Sequence, residues 1–114
     1  MSEDGQPSQA RPLRVEAEYD GPEVTIIIEG DLDLGGVGDF LACVREALER
    51  LTRDRSVTID AHGLTYVDSS GLAALLRARA AADDVAVPFG ISEPSRELRR
   101  IAQVSGVADL LPDE

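Results

Sequence analysis

The residues best suited to chemistry in this chain stand in one short run, Asp68-Ser69-Ser70-Gly71-Leu72. A stretch rich in Ala, Leu and Arg follows the run, so we predict that the serines lie at the start of a helix. Free backbone N–H groups and the positive end of the helix dipole favour a hydroxyl or an anion there. Position alone leaves two compatible interpretations: Ser69 or Ser70 caps the helix, or Ser69 accepts a phosphate, which adds about −1.5 to −2 charges.

Other nucleophiles and metal ligands are few. The chain has one histidine, His62, and no Gly-x-Ser-x-Gly motif, so a serine hydrolase is disfavoured and we interpret His62 as an exposed loop residue. The one cysteine, Cys43, falls on the apolar side of a predicted helix and is expected to be a buried thiol. No spacing typical of metal ligands is present, so we predict no metal, no cofactor and no catalytic residue.

The elements that must position the serine run follow from the changing period of the apolar residues. Alternation predicts strands, and three- and four-residue spacing predicts helices. A turn at Asp20-Gly21-Pro22 joins the first two strands into an antiparallel hairpin. The predicted strands cover residues 13–19, 24–29, 57–59 and 85–91, and the predicted helices cover residues 37–51, 71–82 and 94–104. The fold class is therefore α/β: a small mixed sheet, mostly parallel with an antiparallel N-terminal strand, flanked by three helices.

The order of these elements predicts where a site lies. In open α/β sheets, sites gather beyond the carboxyl ends of the parallel strands. Gly30-Asp31-Leu32-Asp33 follows the second strand and the serine run follows the third, so we expect Asp33, Asp68 and Ser69 on one edge. Ser92 is expected to cap the third helix, and residues 107–111 are expected to form a short edge strand.

Composition and charge limit the class of protein. A length of 114 residues with 43% apolar content fits one domain, predicted over residues 13–111, with a disordered tail over 1–12 and a short tail over 112–114. A net charge of −11 argues against a nucleic-acid partner, whose phosphates require clustered basic residues. No run reaches the roughly 18–20 apolar residues of a membrane span, and the polar N-terminus is not a secretory signal. A cytoplasmic protein without a membrane partner is expected.

Several motifs together resemble the STAS-domain anti-sigma factor antagonists. They are Gly30-Asp31-Leu32-Asp33, the run from Leu64 to Leu72, Ser92-Glu93-Pro94-Ser95-Arg96-Glu97-Leu98 and Ser105-Gly106-Val107. The resemblance covers about residues 13–111. It implies a STAS-like fold and regulation of transcription by partner switching.

The resemblance also implies a mechanism and a set of site residues. In that family the unphosphorylated antagonist binds an anti-sigma factor, a serine kinase of the histidine-kinase-like ATPase fold, and so frees a sigma factor. The kinase phosphorylates the first serine after the aspartate, which corresponds to Ser69, and the phosphoprotein is released until a PP2C-type phosphatase resets it. Ser70 corresponds to a neighbour that is normally not the acceptor, and a monomer or weak dimer is expected. The implied partner-binding residues are Asp33, Asp68, Ser69, Ser70, Gly71 and Leu72.

Two departures and two alternatives accompany the resemblance. Gly35, Gly36 and Gly38 replace the helix formers usual in the family, and we expect a longer loop there. The end of the chain at Glu114 implies that the family's final helix is absent. A STAS scaffold or an accessory subunit of a signalling or transport complex is an open alternative. An acyl carrier protein is a remote one, because carriers are helical bundles with an Asp-Ser-Leu motif.

Overall fold

A computed structural model describes residues 11–50 and 54–112 of the chain. Within these two stretches the order is β1 (Arg14–Asp20), β2 (Glu23–Leu32), α1 (Val37–Glu49), β3 (Ser56–Val67), α2 (Ser69–Asp84), β4 (Phe89–Ser92), α3 (Arg96–Val104) and a 3₁₀ helix (Ala108–Leu110). The sheet order is β1-β2-β3-β4. β1 pairs antiparallel with β2, whereas β2, β3 and β4 run parallel to one another. The predicted fold class is confirmed.

The core lies between the sheet and its helices. Alternate residues of β2 and β3 point into it, among them Ile26, Ile28 and Ile59, whose side chains are fully buried. From α2, buried alanines at a spacing of four residues, such as Ala74 and Ala78, give the helix a small-residue face where it contacts β2, β3 and β4. Small side chains let a helix lie close to a sheet, so these alanines allow α2 to pack closely on the strands.

The start of α1 depends on glycine. Gly35 and Gly36 lie in the turn before the helix, as the expectation of a longer loop required, whereas Gly38 already belongs to the first turn of α1. A Cβ on Gly36 would stand 2.8 Å from the Cβ of Leu13, which is closer than side chains pack. Leu13, just before β1, therefore reaches the turn because residue 36 has no side chain.

The third strand is much longer than predicted. β3 runs from Ser56 to Val67, and His62 is an exposed residue within it, so the predicted loop position was wrong although the predicted exposure was right. Register shifts between β2 and β3 follow Ile27 and Gly30. At such irregularities the strict alternation of buried and exposed residues is lost. The second half of β3 therefore does not show the alternating pattern from which a strand is predicted.

Three other predictions needed correction. The predicted strand over 85–91 begins only at Phe89, because α2 continues to Asp84 and Ala86 turns the chain with a φ of 58°. The cap of α3 is Ser95, whose Oγ accepts from the Leu98 N–H at 3.2 Å, whereas Ser92 ends β4. Residues 107–111 were predicted as an edge strand but contain a 3₁₀ helix.

Some sequence predictions fall on parts of the chain outside the described residues. These parts are residues 1–10, 51–53 and 113–114, so the tails predicted over 1–12 and 112–114 stay predictions. Arg11 is described, and its backbone exchanges hydrogen bonds with Asp31. Among the described helices, none combines the length and the apolar character that a bilayer crossing requires.

Candidate functional site

The neighbouring carboxyl ends of β2 and β3 form the edge at which the predicted site residues lie. Leu32 pairs with Val67 in the parallel register, and the Asp68 N–H donates to the Leu32 carbonyl over 3.4 Å. Asp33 and Asp68 are therefore the first residues beyond two adjacent strands. We call this surface the rim, and define it as residues 31–36 and 65–70.

Asp68 is the N-cap of α2. Its backbone is extended (φ −103°, ψ −174°), and its Oδ1 accepts a hydrogen bond from the Gly71 N–H at 2.8 Å. The helix therefore does not depend on Ser69 or Ser70 for its cap, and the interpretation of either serine as the capping residue was wrong. Ser69 is the first helical residue and is exposed, while Ser70 is half-buried.

The backbone at the start of α2 is rich in unpaired donors. The first N–H groups of a helix have no partner within the helix, and here the cap satisfies the one on Gly71. The N–H groups of Ser69 and Ser70 stand in the same turn, at the positive end of a 16-residue helix. An anionic group attached to the Ser69 Oγ would meet a favourable local field from the helix.

Gly71 and Leu72 set the position of this helix. A Cβ on Gly71 would run into the carbonyl oxygen of Leu32, so α2 can approach the end of β2 only because residue 71 is glycine. Leu72 is buried in the core. In this structure both residues are buried in the packing beneath Ser69 and are not presented at the surface.

Asp33 organises the turn that carries the other side of the rim. Its Oδ1 accepts from the Gly35 N–H at 3.0 Å, and its carbonyl accepts from the N–H groups of Gly36 (2.9 Å) and Val37 (3.1 Å). These three hydrogen bonds fix both the carboxylate and the path of the backbone into α1. Leu34, at the outside of the turn, is 77% exposed.

Asp31 ties three segments of the chain together beside the rim. Its Oδ1 accepts from the Thr65 hydroxyl at 2.9 Å, and its Oδ2 accepts from the Arg11 N–H at 3.0 Å. The Asp31 N–H in turn donates to the Arg11 carbonyl at 2.7 Å. The motif Gly30-Asp31-Leu32-Asp33 was recognised in the sequence. The bridging role of Asp31 was not predicted, because it depends on Thr65 near the carboxyl end of β3.

Leu34 is the rim residue that sequence reasoning missed most clearly. The one available signal is that it stands between Asp33 and Gly35, outside the apolar stripe of α1. An exposed leucine and a buried one look alike in a short turn, so this signal is weak.

The other reactive groups lie apart from the rim. Cys43 on α1 is half-buried, and burial raises the pKa of its thiol, with the nearby Glu46 carboxylate raising it further. His62 on β3 donates its backbone N–H to Asp60 Oδ1 at 3.1 Å. Across residues 11–50 and 54–112, no group of three or more His, Cys, Asp or Glu side chains is arranged to hold a metal ion.

Comparison with known proteins identifies the family. The protein-family model described as "Mlab, STAS domain" matches residues 15–112 of this chain. The chain belongs to the STAS domain family. A STAS-domain containing protein of Pseudomonas aeruginosa (strain UCBPP-PA14) is 36% identical over 92 residues, which are 80% of this chain and 87% of that protein.

Solved structures show that the STAS fold of this chain is that of anti-sigma factor antagonists, as the sequence resemblance implied. The antagonist SpoIIAA in its unphosphorylated form matches with a TM-score of 0.73 and 24% identity over 89% of this chain and 88% of that chain. The Bacillus cell fate determinant SpoIIAA in its phosphorylated form gives 0.68 and 24% identity over 89% and 91%. A STAS-domain antagonist from Rhodobacter sphaeroides gives 0.59 and 26% identity over 76% and 96%.

Proposed function

We propose that this STAS domain is an anti-sigma factor antagonist switched by phosphorylation of Ser69. In its unphosphorylated form it binds an anti-sigma factor, a serine kinase of the histidine-kinase-like ATPase fold, and thereby frees a sigma factor for transcription. The observation that carries the proposal is the exposed Ser69 hydroxyl at the first residue of α2, next to an Asp68 that already caps the helix. A serine so placed can be modified without loss of the cap.

The switch is a change of charge at a binding surface. The γ-phosphoryl group of ATP passes to the Ser69 Oγ, ADP leaves, and the hydroxyl proton is taken up by a base of the kinase. The helix terminus favours the added charge of about −1.5 to −2, whereas the carboxylates of Asp33 and Asp68 oppose it. A phosphate that must also lose its water in a packed interface weakens binding and leaves the fold intact.

In this proposal the domain is a substrate and a binding partner, and the catalytic groups belong to other proteins. A PP2C-type phosphatase returns Ser69 to its hydroxyl form by hydrolysis of the phosphoester. The remaining predicted contact residues, Asp33 and Ser70, flank the acceptor on the rim. The domain works in the cytoplasm, because sigma factors act there, and it works as a monomer or weak dimer.

What is known of similar proteins supports this proposal. SpoIIAA, which shares the fold, is described as an anti-sigma factor antagonist and was solved in both unphosphorylated and phosphorylated forms. The Rhodobacter sphaeroides relative is also described as an antagonist. These descriptions belong to those proteins, and the site chemistry above is what extends them to this chain.

The test is phosphoryl transfer from ATP by the kinase that the wild-type domain captures from its host. Ser69→Ala should accept no phosphate and should keep binding the kinase, whereas Ser70→Ala should be phosphorylated like the wild type. Ser69→Asp should fold normally and bind poorly. Undiminished transfer to Ser69→Ala would refute Ser69 as the acceptor.

A second candidate function is a STAS scaffold or an accessory subunit of a signalling or transport complex. The observation that favours it is the matched family description, "Mlab, STAS domain", which does not mention sigma factors. Recovery of the same complex by wild type and by Ser69→Asp, with no ATPase kinase in it, would favour this candidate. The acyl carrier alternative is dropped, because a mixed β-sheet forms the centre of the fold.

A further inference from the structure

The exposed large apolar side chains lie at the two ends of the molecule. Leu34 and Tyr66 lie on the rim, at the carboxyl ends of β2 and β3. The others lie at the opposite end of the sheet, where α2 and α3 end and β2 begins. Within the described part of the chain, the exposed large apolar residues are Tyr19, Leu34, Tyr66, Val85 and Val104.

Leu34 is the most exposed of the rim pair and contributes little to the stability of the fold. Leu34 is 77% exposed, and the turn that carries it is held by backbone N–H groups that donate to the carboxylate and the carbonyl of Asp33. Tyr66 is 47% exposed at the end of β3. By contrast Tyr19, at the far end, is covered by Arg50, whose guanidinium carbon lies 4.0 Å from the ring centre.

The position of Leu34 links it to the acceptor serine. Leu34 follows Leu32 by two residues, and the Leu32 carbonyl accepts the N–H of Asp68, the residue before Ser69. Hydrogen bonds already fix the backbone of this turn, so binding has to order only the side chain of Leu34, which favours it as an anchor. Leu34 is therefore an exposed leucine on the same rim as the Ser69 hydroxyl.

We propose that Leu34, assisted by Tyr66, is the apolar anchor by which this domain docks on its serine kinase. The inference rests on the proposed function and adds the chemistry of the partner surface. That surface has an apolar pocket for Leu34, surrounded by basic side chains that face the carboxylates of Asp31, Asp33 and Asp68. An apolar centre within a charged border is the usual anatomy of a specific protein interface.

Charge argues against the two other occupants of such a patch. A second copy bound through a two-fold axis would bring Asp31, Asp33 and Asp68 against the same three carboxylates of its partner, which is repulsive. A membrane surface rich in anionic lipids would repel a domain of net charge −11. A basic protein surface is attracted by the same charges.

The test compares Leu34→Ser with Val104→Ser. Both side chains are 77% exposed, but Val104 is at the end of α3, away from the rim. The probe is the ATPase kinase captured by the wild-type domain, identified, expressed separately and titrated by calorimetry without ATP hydrolysis. We expect Leu34→Ser to weaken binding by about 10- to 100-fold, the range for burying one leucine, and Val104→Ser to leave it unchanged.

Two further variants separate docking from damage to the fold. Leu34→Met keeps the apolar volume and should bind within about threefold of the wild type. Tyr66→Ala should weaken binding to a smaller extent than Leu34→Ser. Leu34→Ser, Leu34→Met and Val104→Ser should share the circular dichroism and thermal midpoint of the wild type, since both side chains are 77% exposed. Tyr66 is 47% exposed within β3, so Tyr66→Ala is compared at a temperature where circular dichroism shows it to be folded.

Each outcome has a distinct meaning. If Leu34→Ser binds the kinase as tightly as the wild type, Leu34 is not the anchor. The proposed function is still supported in that case if the kinase phosphorylates the wild type and does not phosphorylate Ser69→Ala. A wild-type domain that binds no ATPase kinase overturns both. A wild-type dimer that Leu34→Ser dissociates, with kinase affinity unchanged, assigns the patch to self-association and also overturns the anchor.

Discussion

At the scale of single residues, Asp68 and Ser69 have separate tasks although they are adjacent. Asp68 accepts the Gly71 N–H and stabilises the helix, while the Ser69 hydroxyl is left to the solvent. Asp68→Ala should therefore lower the free energy of unfolding by about 1 kcal/mol. Ser69→Ala should change it by less than about 0.5 kcal/mol, because alanine suits the first helical turn and no cap is lost.

Urea unfolding followed by circular dichroism measures this difference. Ser70→Ala is the control in the same turn and should behave like Ser69→Ala. If Ser69→Ala destabilised the domain as much as Asp68→Ala, the hydroxyl would be a structural group and a poor candidate for reversible modification.

Cys43 gives a second prediction at the residue scale. Burial raises the pKa of its thiol, and the Glu46 carboxylate raises it further, so the thiol stays protonated at neutral pH. The rate of alkylation by iodoacetamide should reach half its maximum at a higher pH in the folded domain than in the unfolded chain. Glu46→Gln should lower this midpoint, and Glu49→Gln, on the same helix, should not.

The same shift has a consequence for stability. A pKa that is higher in the folded state means that the folded domain keeps the Cys43 proton up to a higher pH than the unfolded chain does. The stability that this difference contributes is fully present below the unfolded pKa, and it is lost as the pH rises through the folded pKa. Equal midpoints for folded and unfolded chains would contradict this prediction.

At the scale of elements, two glycines near helix starts should respond to alanine in opposite directions. A Cβ at Gly71 would meet the Leu32 carbonyl, so α2 would have to move away from β2, and Gly71→Ala should destabilise the domain by about 1–3 kcal/mol or more. Gly38, in the first turn of α1, has open space where a Cβ would stand. Gly38→Ala should stabilise by up to about 1 kcal/mol, because alanine is the better helix former.

Thermal unfolding of the two variants beside the wild type checks this pair. The expected result is a lower midpoint for Gly71→Ala and a higher one for Gly38→Ala. A neutral Gly71→Ala would mean that the start of α2 has freedom to shift, and the close fit of α2 on β2 would not fix the position of Ser69.

The elements also show what the sequence could predict and what it could not. The hairpin and α1 were predictable because their apolar residues keep one period from end to end. The second half of β3 was not, because the register shifts after Ile27 and Gly30 interrupt the alternation. Ser92 and Ser95 are equally good caps by residue type, and only the backbone decides that Ser95 opens α3.

The candidate site was predictable to a similar extent. Topology alone brings Asp33, Asp68 and Ser69 to one edge, since each follows one of two adjacent parallel strands. The division of labour between Asp68 and Ser69 was not predictable, because aspartate and serine are both strong caps. The exposure of Leu34 depends on how its turn faces the solvent, which no periodicity reports.

At the scale of the whole molecule, charge sets the kind of partner. The chain has 22 acidic and 11 basic residues, and acidic groups border the rim. Such a field speeds encounters with a basic surface and weakens as salt screens it. The net charge therefore acts on the rate of association, whereas contacts such as that of Leu34 act on the rate of dissociation.

A substitution at Asp33 tests whether rim charge acts on the rate of association and not on the rate of dissociation. In Asp33→Asn the side-chain oxygen can still accept the Gly35 N–H, so the turn and Leu34 should stay in place while one rim charge is removed. We expect slower association with the kinase and a smaller dependence of that rate on salt, with little change in dissociation. Asp84→Asn removes the same charge at the other end of α2 and should have a weaker effect on the association rate and on its salt dependence.

Stopped-flow association between about 50 mM and 500 mM salt, where the screening length falls from above 10 Å to below 8 Å, measures how steeply each rate depends on salt. If Asp33→Asn and Asp84→Asn slowed association equally, the kinase would respond to the total charge of the domain, and the rim would have no special role in guiding it to Ser69.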